Sequence, residues 1–139
     1  MSAAAWVFDC SAVMALVLGD ERGDEVESIL RLQVQARATI LVPAVFWFEV
    51  ANTLVMAGRR GRLSRSALRL AESDLAALPI VSEPPPDAFI RERIREAAEE
   101  YELTAYDAAY LECAERNGRR LKTLDRDLLG LLGRCNSIA

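Results

Sequence analysis

Ala5-Trp6-Val7-Phe8-Asp9-Cys10-Ser11 is an apolar run closed by a single acid, followed by small residues. Residues 5–9 have the length and the aromatic and β-branched content of a short buried strand, and a helix is expected from about Ala12 to Leu18. Asp9 is the only charged side chain among residues 1–19. An acid at the end of a buried strand marks the edge of a sheet where chemistry is usually done.

The rest of the chain repeats this pattern of strand followed by helix. A helix is expected over Asp24–Arg37, with Val26, Ile29, Leu30 and Val34 on its apolar face, then a strand over Thr39–Val42. Pro43 suits the first position of a helix that reaches Gly58. After a Gly-punctuated turn over Arg59–Ser66, a helix over Ser66–Leu78 turns Leu68, Ala71, Leu75 and Leu78 to one side. Pro79–Val81 reads as a third strand, and Pro84-Pro85-Pro86 as a stiff connector. Ile90, Ile94, Ala97 and Tyr101 mark the next helix; Thr104 opens another, with Tyr106, Ala109, Tyr110 and Cys113 at helical spacing. Asn117-Gly118 stops it, Arg120–Thr123 forms a strand, and Asp125 opens a last helix ending near Gly133. Strands alternating with helices predict an α/β fold, a parallel sheet covered on both faces. Right-handed crossovers then bring Asp9 and Asp125 to the same sheet edge.

Length and composition set the limits. A chain of 139 residues is expected to form one domain over 1–139, and its 52% hydrophobic and 27% charged content is that of a soluble globular protein. Residues 39–58 are long and apolar enough to raise a membrane span, but Pro43 and the central Glu49 favour a strand and a buried helix, so no membrane partner is expected. Cys10, Cys113 and Cys135 fit neither a zinc pattern nor a disulfide framework, and the N-terminus has no basic leader region. Reduced thiols in the cytoplasm are the expectation. The formal net charge of −4 argues against a broad, sequence-independent grip on nucleic acid, although local clusters of cations decide binding.

Histidine is absent, which removes imidazole bases, Ser-His-Asp triads and His-metal sites together. Four acids are conspicuous. Glu49 is the only charge between Ala38 and Gly58 and shares a helical stripe with Val45, Asn52 and Met56. Asp107 is the only charge between Leu103 and Leu111; Asp125 has Asp127 close by but is favoured because it directly follows Thr123-Leu124. Ser11, two residues past Asp9, would point the same way on extended backbone. Some of these residues also have structural readings. Thr104 and Asp107 match a capping box, Asp125 and Ser11 suit helix N-caps, and Asn52 suits a buried backbone group, whereas Asp9 and Glu49 fall at no expected cap. Clustered carboxylates without histidine select hard cations, Mg²⁺ or Mn²⁺, one or two in number. Such ions suit hydrolysis of a phosphodiester.

Four segments, taken in order, resemble the PIN-domain ribonucleases. They are Val7-Phe8-Asp9-Cys10-Ser11, Pro43 through Glu49-Val50-Ala51-Asn52-Thr53-Leu54, Leu103-Thr104-Ala105-Tyr106-Asp107-Ala108 with Tyr110-Leu111, and Leu121-Lys122-Thr123-Leu124-Asp125. Size and the lack of further domains are most similar to the toxin subunits of VapBC-type toxin–antitoxin modules. The resemblance implies a three-layer α/β/α domain with a central, mainly parallel sheet of four or five strands. It implies a Mg²⁺- or Mn²⁺-dependent endoribonuclease with Asp9, Glu49, Asp107 and Asp125 as its acidic, metal-holding site. Ser11, Asn52 and Thr123 would be supporting polar groups. It also implies an RNA substrate, an inhibiting antitoxin, and a homodimer or a toxin–antitoxin hetero-oligomer. The tail, Arg134 to Ala139, is a poor match to the family's final strand, so a fifth strand is expected to be short or absent.

Two basic runs are candidates for phosphate. Arg59, Arg60, Arg62 and Arg65 lie in a turn that solvation alone would explain; Arg116, Arg119, Arg120 and Lys122 lead directly into the Asp125 motif and are the better candidates by proximity. Trp6, Phe46 and Trp47 are expected in the core. Two alternatives compete with the nuclease. An aspartate-based phosphatase or phosphoacceptor domain could use Asp9 and Lys122, but it lacks the paired acids near the first strand. A PIN-like binding or assembly module without catalysis would not need all four acids.

Overall fold

Val7 pairs with Leu41 on one side and with Leu121 on the other, which puts β1 (Trp6–Phe8) inside the sheet in the computed structural model, where residues 4–134 are described. Its neighbours are β2 (Ile40–Val42) and β4 (Arg120–Lys122), and β3 (Ile80–Ser82) pairs with the far side of β2. The order is β3-β2-β1-β4 and every pairing is parallel. Helices cover a parallel sheet on both faces, so its inner strands are buried on both sides. Val7 and Phe8 are accordingly buried together, as are Ile40 and Val42, and a continuous apolar run is what that burial requires.

Seven helices are formed among the described residues: α1 (Cys10–Val17), α2 (Gly23–Gln35), α3 (Phe46–Arg59), α4 (Arg65–Ala77), α5 (Ala88–Tyr101), α6 (Ala105–Arg116) and α7 (Arg126–Leu132). Helix α1 packs on α2, α3 and α4, while α5 pairs with α6, which lies against β1 and β4. The three-layer α/β/α arrangement expected from the alternation is therefore present, with four strands. The tail that would carry a fifth lies outside the described residues, apart from Arg134.

Element boundaries differ from expectation for local reasons. Helix α1 starts two residues early because Asp9 is its N-cap, accepting a hydrogen bond from the Ala12 amide at 3.0 Å. This corrects two readings: Asp9 does occupy a cap position, and Ser11 is neither a cap nor on extended backbone but in the first helical turn. Pro43 does not begin α3; the chain makes a tight turn first, with Phe46 N–H donating to the Pro43 carbonyl at 3.1 Å. Asp125 and Thr104 cap α7 and α6 as expected of those residue types, and Ser64 caps α4. No helix is long and apolar enough to cross a membrane among the described residues.

Helix α1 packs closely against the start of α2. A Cβ on Gly23 would stand 2.8 Å from the Ala15 carbonyl oxygen, closer than backbone tolerates. Gly23→Ala is expected to overpack this contact by about 1–3 kcal/mol and to lower Tm by roughly 3–10 °C in thermal unfolding. An unchanged Tm would mean that α1 and α2 separate freely at this point.

Candidate active site

The strand order places a topological switch point beside β1. The chain moves from β1 outward through β2 to β3, then returns to add β4 on the other side. Crevices form at such points, beyond the C-terminal ends of the strands. Phe8 pairs with Lys122, so the next residues, Asp9 and Thr123, are side by side. Asp9 is 4% exposed and both its oxygens are engaged. Ser11 Oγ donates to Oδ1 at 2.6 Å beside the Ala12 amide, and the Thr123 hydroxyl donates to Oδ2. Ser11 Oγ in turn accepts from the Leu124 amide at 2.9 Å, and Thr123 Oγ1 accepts from the Asp125 amide at 2.9 Å. The ends of β1 and β4 are thus tied through one carboxylate.

Three further acids reach the same edge from three helices. Glu49 stands in the first turn of α3, Asp107 in the first turn of α6, and Asp125 caps α7 through Oδ1, which accepts from the Asp127 and Leu128 amides. Burial raises the Asp9 carboxyl above its usual range, opposed by the Ser11, Thr123 and Ala12 hydrogen bonds and reinforced by Asp125. Glu49 is raised by burial and by repulsion from Asp107, Asp9 and Asp125. Asp107 is raised by burial, then by Asp125 and Asp9, with Asp127 the weakest contributor. The four side chains therefore share one field, to which Asp127, exposed on α7, adds little. None of the four forms an ion pair with Lys or Arg among the described residues.

Some parts of this site were not anticipated from the sequence. Tyr110, buried one helical turn past Asp107, donates its hydroxyl to Glu49 Oε1 at 2.5 Å. Burial and the Glu49 carboxylate push this phenol well above its usual range, so it remains a donor. Cys10 lines the cleft beside Thr53 and is pushed up to about 11 by burial, which makes it an unreactive thiol. Phe48 and Tyr106 also line this cleft; they stand 77% and 61% exposed, although Tyr106 was expected on an apolar helix face. Trp6 and Phe46 are in the core, but Trp47 is 40% exposed. Spacing offered one signal: Phe48 and Tyr106 each directly precede an acid, Glu49 and Asp107.

The structure reverses the ranking of the basic runs. Arg116 is bound in a fork by Glu83, at 2.7 and 2.8 Å, and also holds the buried Glu112 together with Arg93. Arg119 precedes β4 and Arg120 opens it, so both lie at the N-terminal edge of the parallel sheet, opposite the acids. Arg119 donates to the Trp6 and Thr39 carbonyls, and Arg120 stacks over the Trp6 ring at 4.4 Å. Lys122 pairs with Glu25 at 3.0 Å, which also removes the lysine a phosphoacceptor site would need. Sequence proximity to Asp125 misled because strand polarity separates the two ends of β4. Arg60 and Arg62, by contrast, line a groove that shares Asn52 and Thr53 with the acidic cleft. Arg59 is exposed beside them at the end of α3, and none of these three arginines makes an ion pair among the described residues.

Among the described residues, no three acidic or thiol side chains already converge into a cage for an ion. The donor set nevertheless fits a hard cation. It is all oxygen, three members are raised chiefly by burial and further by repulsion among the acids, and among the described residues no protein cation offsets them.

Comparison with known proteins agrees with this fold. The sequence profile of the PIN domain matches residues 6–131. The chain is 36% identical over 128 residues to ribonuclease VapC3 of Pyrobaculum aerophilum, covering 88% of this chain and 90% of that protein. It is also 36% identical over 83 residues to exonuclease VapC9 of the same organism, 59% of each chain. Among solved structures, PAE2754 from Pyrobaculum aerophilum superposes with a TM-score of 0.68 at 27% identity, over 92% of this chain and 79% of that one. VapC20 of Mycobacterium tuberculosis, a toxin that cleaves the sarcin–ricin loop, shares the fold with a TM-score of 0.61 at 19% identity, over 91% and 95%. On sequence and fold, the chain belongs to the PIN-domain family, with VapC-type proteins among its relatives.

Proposed function

We propose that this protein is a Mg²⁺- or Mn²⁺-dependent endoribonuclease, the toxin of a type II toxin–antitoxin module acting on cellular RNA in the cytoplasm. One observation carries the reading: four acids from separate segments meet at the switch point with no protein cation to offset them. Asp9, Glu49, Asp107 and Asp125 would hold one or two ions. When bound, the cation supplies Lewis-acid activation of water and offsets the charge of the phosphodiester. The chain's own residues keep the carboxylates in position. Ser11, Thr123 and the Ala12 amide fix Asp9; Tyr110 fixes one oxygen of Glu49 and leaves the other free; backbone amides hold one oxygen of Asp125. Asn52, exposed at the junction of the cleft and the arginine groove, would contact RNA. A cognate antitoxin is the expected inhibitor, within a homodimer or a toxin–antitoxin hetero-oligomer, and one catalytic domain suffices for the chemistry.

Purified protein is expected to cleave total cellular RNA into discrete fragments with Mg²⁺ or Mn²⁺ and not with EDTA. Loss of an outer-shell partner alone typically costs up to 100-fold, so Asp9→Asn is expected to lower cleavage by more than about 100-fold. Its Tm in EDTA should not fall, because an uncharged amide avoids the cost of burying a charge and, to a smaller extent, the repulsion from Asp125. Retained cleavage in the variant would refute the assignment.

Mn²⁺ is expected to raise the Tm of the parent protein. Binding to the folded state alone adds about 2.7 kcal/mol at a hundredfold excess over Kd. Asp9→Asn should abolish that shift, and an equal shift in both proteins would place the ion elsewhere.

Replacing Arg60 and Arg62 together by Ala is expected to weaken RNA binding and to flatten its salt dependence by about two phosphate contacts, with Tm unchanged. Arg116→Ala should do the opposite, lowering Tm because Glu112 loses a partner while buried. Salt titrations of RNA affinity and melting curves distinguish the two.

A further inference from the structure

We propose that Phe48 and Tyr106 form an aromatic clamp that stacks on the bases flanking the reacting phosphodiester. The inference rests on the ribonuclease reading and assigns it two further binding residues.

Both rings line the cleft of about 600 Å³ that contains Glu49, Ser11, Asn52 and Thr53. Each ring immediately precedes an acid, Phe48 before Glu49 and Tyr106 before Asp107. Successive residues on a helix are turned about 100° apart, so an acid aimed at the switch point leaves its neighbour at the rim. The rings are 77% and 61% exposed, and neither stacks on another aromatic among the described residues. A single exposed ring needs no explanation. Two rings from different helices, bordering one acidic cleft, do.

Charge decides what the rings would hold. The titratable groups beside the cleft are acidic, with Asp107, Asp9 and Asp125 all acting on Glu49. Away from a bound cation a phosphate is repelled by this wall, whereas a nucleobase is neutral and offers a flat face to each ring. Stacking of this kind tolerates any base sequence and requires that the base be free of its partner. In duplex RNA the bases are stacked inside, and side chains cannot read the deep, narrow major groove. The flanking phosphates have a separate destination, since Arg60 and Arg62 line the groove that meets this cleft at Asn52 and Thr53.

The test is fluorescence anisotropy with a labelled, unstructured RNA oligonucleotide and with a blunt RNA duplex, using the full chain with Ca²⁺ in place of Mg²⁺. Phe48→Ala and Tyr106→Ala are each expected to weaken binding of the unpaired RNA by about 5- to 150-fold. Affinity for the duplex and Tm should hold, because the rings are exposed. Phe48→Tyr and Tyr106→Phe should keep the parent affinity, while Phe48→Leu, apolar but without a ring, should not. Unchanged affinity in the alanine variants overturns the clamp. So does an equal loss on duplex, or a change only in oligomeric state by light scattering, which would mark the rings as a surface for a second copy or a protein partner. Binding needs no cleavage, so the readings fail separately. Ring-dependent binding without hydrolysis would sink the nuclease and keep the clamp, and hydrolysis indifferent to the rings would do the reverse. No RNA binding by the parent protein would end both.

Discussion

Asp9 sits where the central strand of the sheet ends, buried from water, with both carboxylate oxygens taken up by the chain that surrounds it. Burying an ionised carboxyl is costly unless its oxygens are satisfied, and here three donors satisfy them. One is the amide of the helix the residue itself caps, one is a hydroxyl from the same helix, and one arrives from β4. The contact with Thr123 is therefore as much a structural clasp as a feature of the site. It joins the first strand to the last at the point where the strand order reverses, and the amide that follows on each side of it closes the loop into α7.

Around this clasp the protein concentrates negative charge without neutralising it. Elsewhere the chain pairs its buried and half-buried acids carefully. Glu112 is held by Arg93 and Arg116, and Glu83 by Arg116. Hydrogen bonds from that arginine hold Glu83 below the usual carboxylate range even though burial works against it. At the switch point the opposite choice is made. Glu49 receives a phenol rather than a guanidinium, and Asp125 receives amides. A hydroxyl or an amide orients a carboxylate and leaves its charge available, whereas an arginine would cancel it. Among the described residues, the absence of cations at this edge, with arginines used freely on the rest of the fold, is the physical basis for expecting a cation from solution.

Much of this could be read in advance. Buried strands on a two-faced parallel sheet must be apolar throughout, so residues 5–9 and 39–42 announced themselves, and an acid directly after such a run had few other places to go. Asp9, Glu49 and Asp107 were legible for the same reason, as lone charges in apolar segments, whereas Asp125, among other charges, was picked out only by the motif it closes. Boundaries were less so, because Asp9 does two jobs: a residue singled out as chemically active was passed over as the cap it also is. The arginines were misjudged for a different reason. Arg119 and Arg120 are close to Asp125 along the chain, but a strand between them carries the chain from one edge of the sheet to the other.

The sequence by itself determined the alternation of strands and helices, the lack of imidazole chemistry, and the four acids that the proposed function uses. These depend on composition and on periodicities of about two and 3.6 residues, which are local properties. Only the tertiary structure decided which polar groups serve those acids and which cations are free. Tyr110 meets Glu49 across 61 residues and Thr123 meets Asp9 across 114. Arg116 is withdrawn into a pair with Glu83, 33 residues away, while Arg60 and Arg62 come to border the cleft. Such partnerships are set by the order in which strands are laid into the sheet, and no local pattern of residues encodes that order.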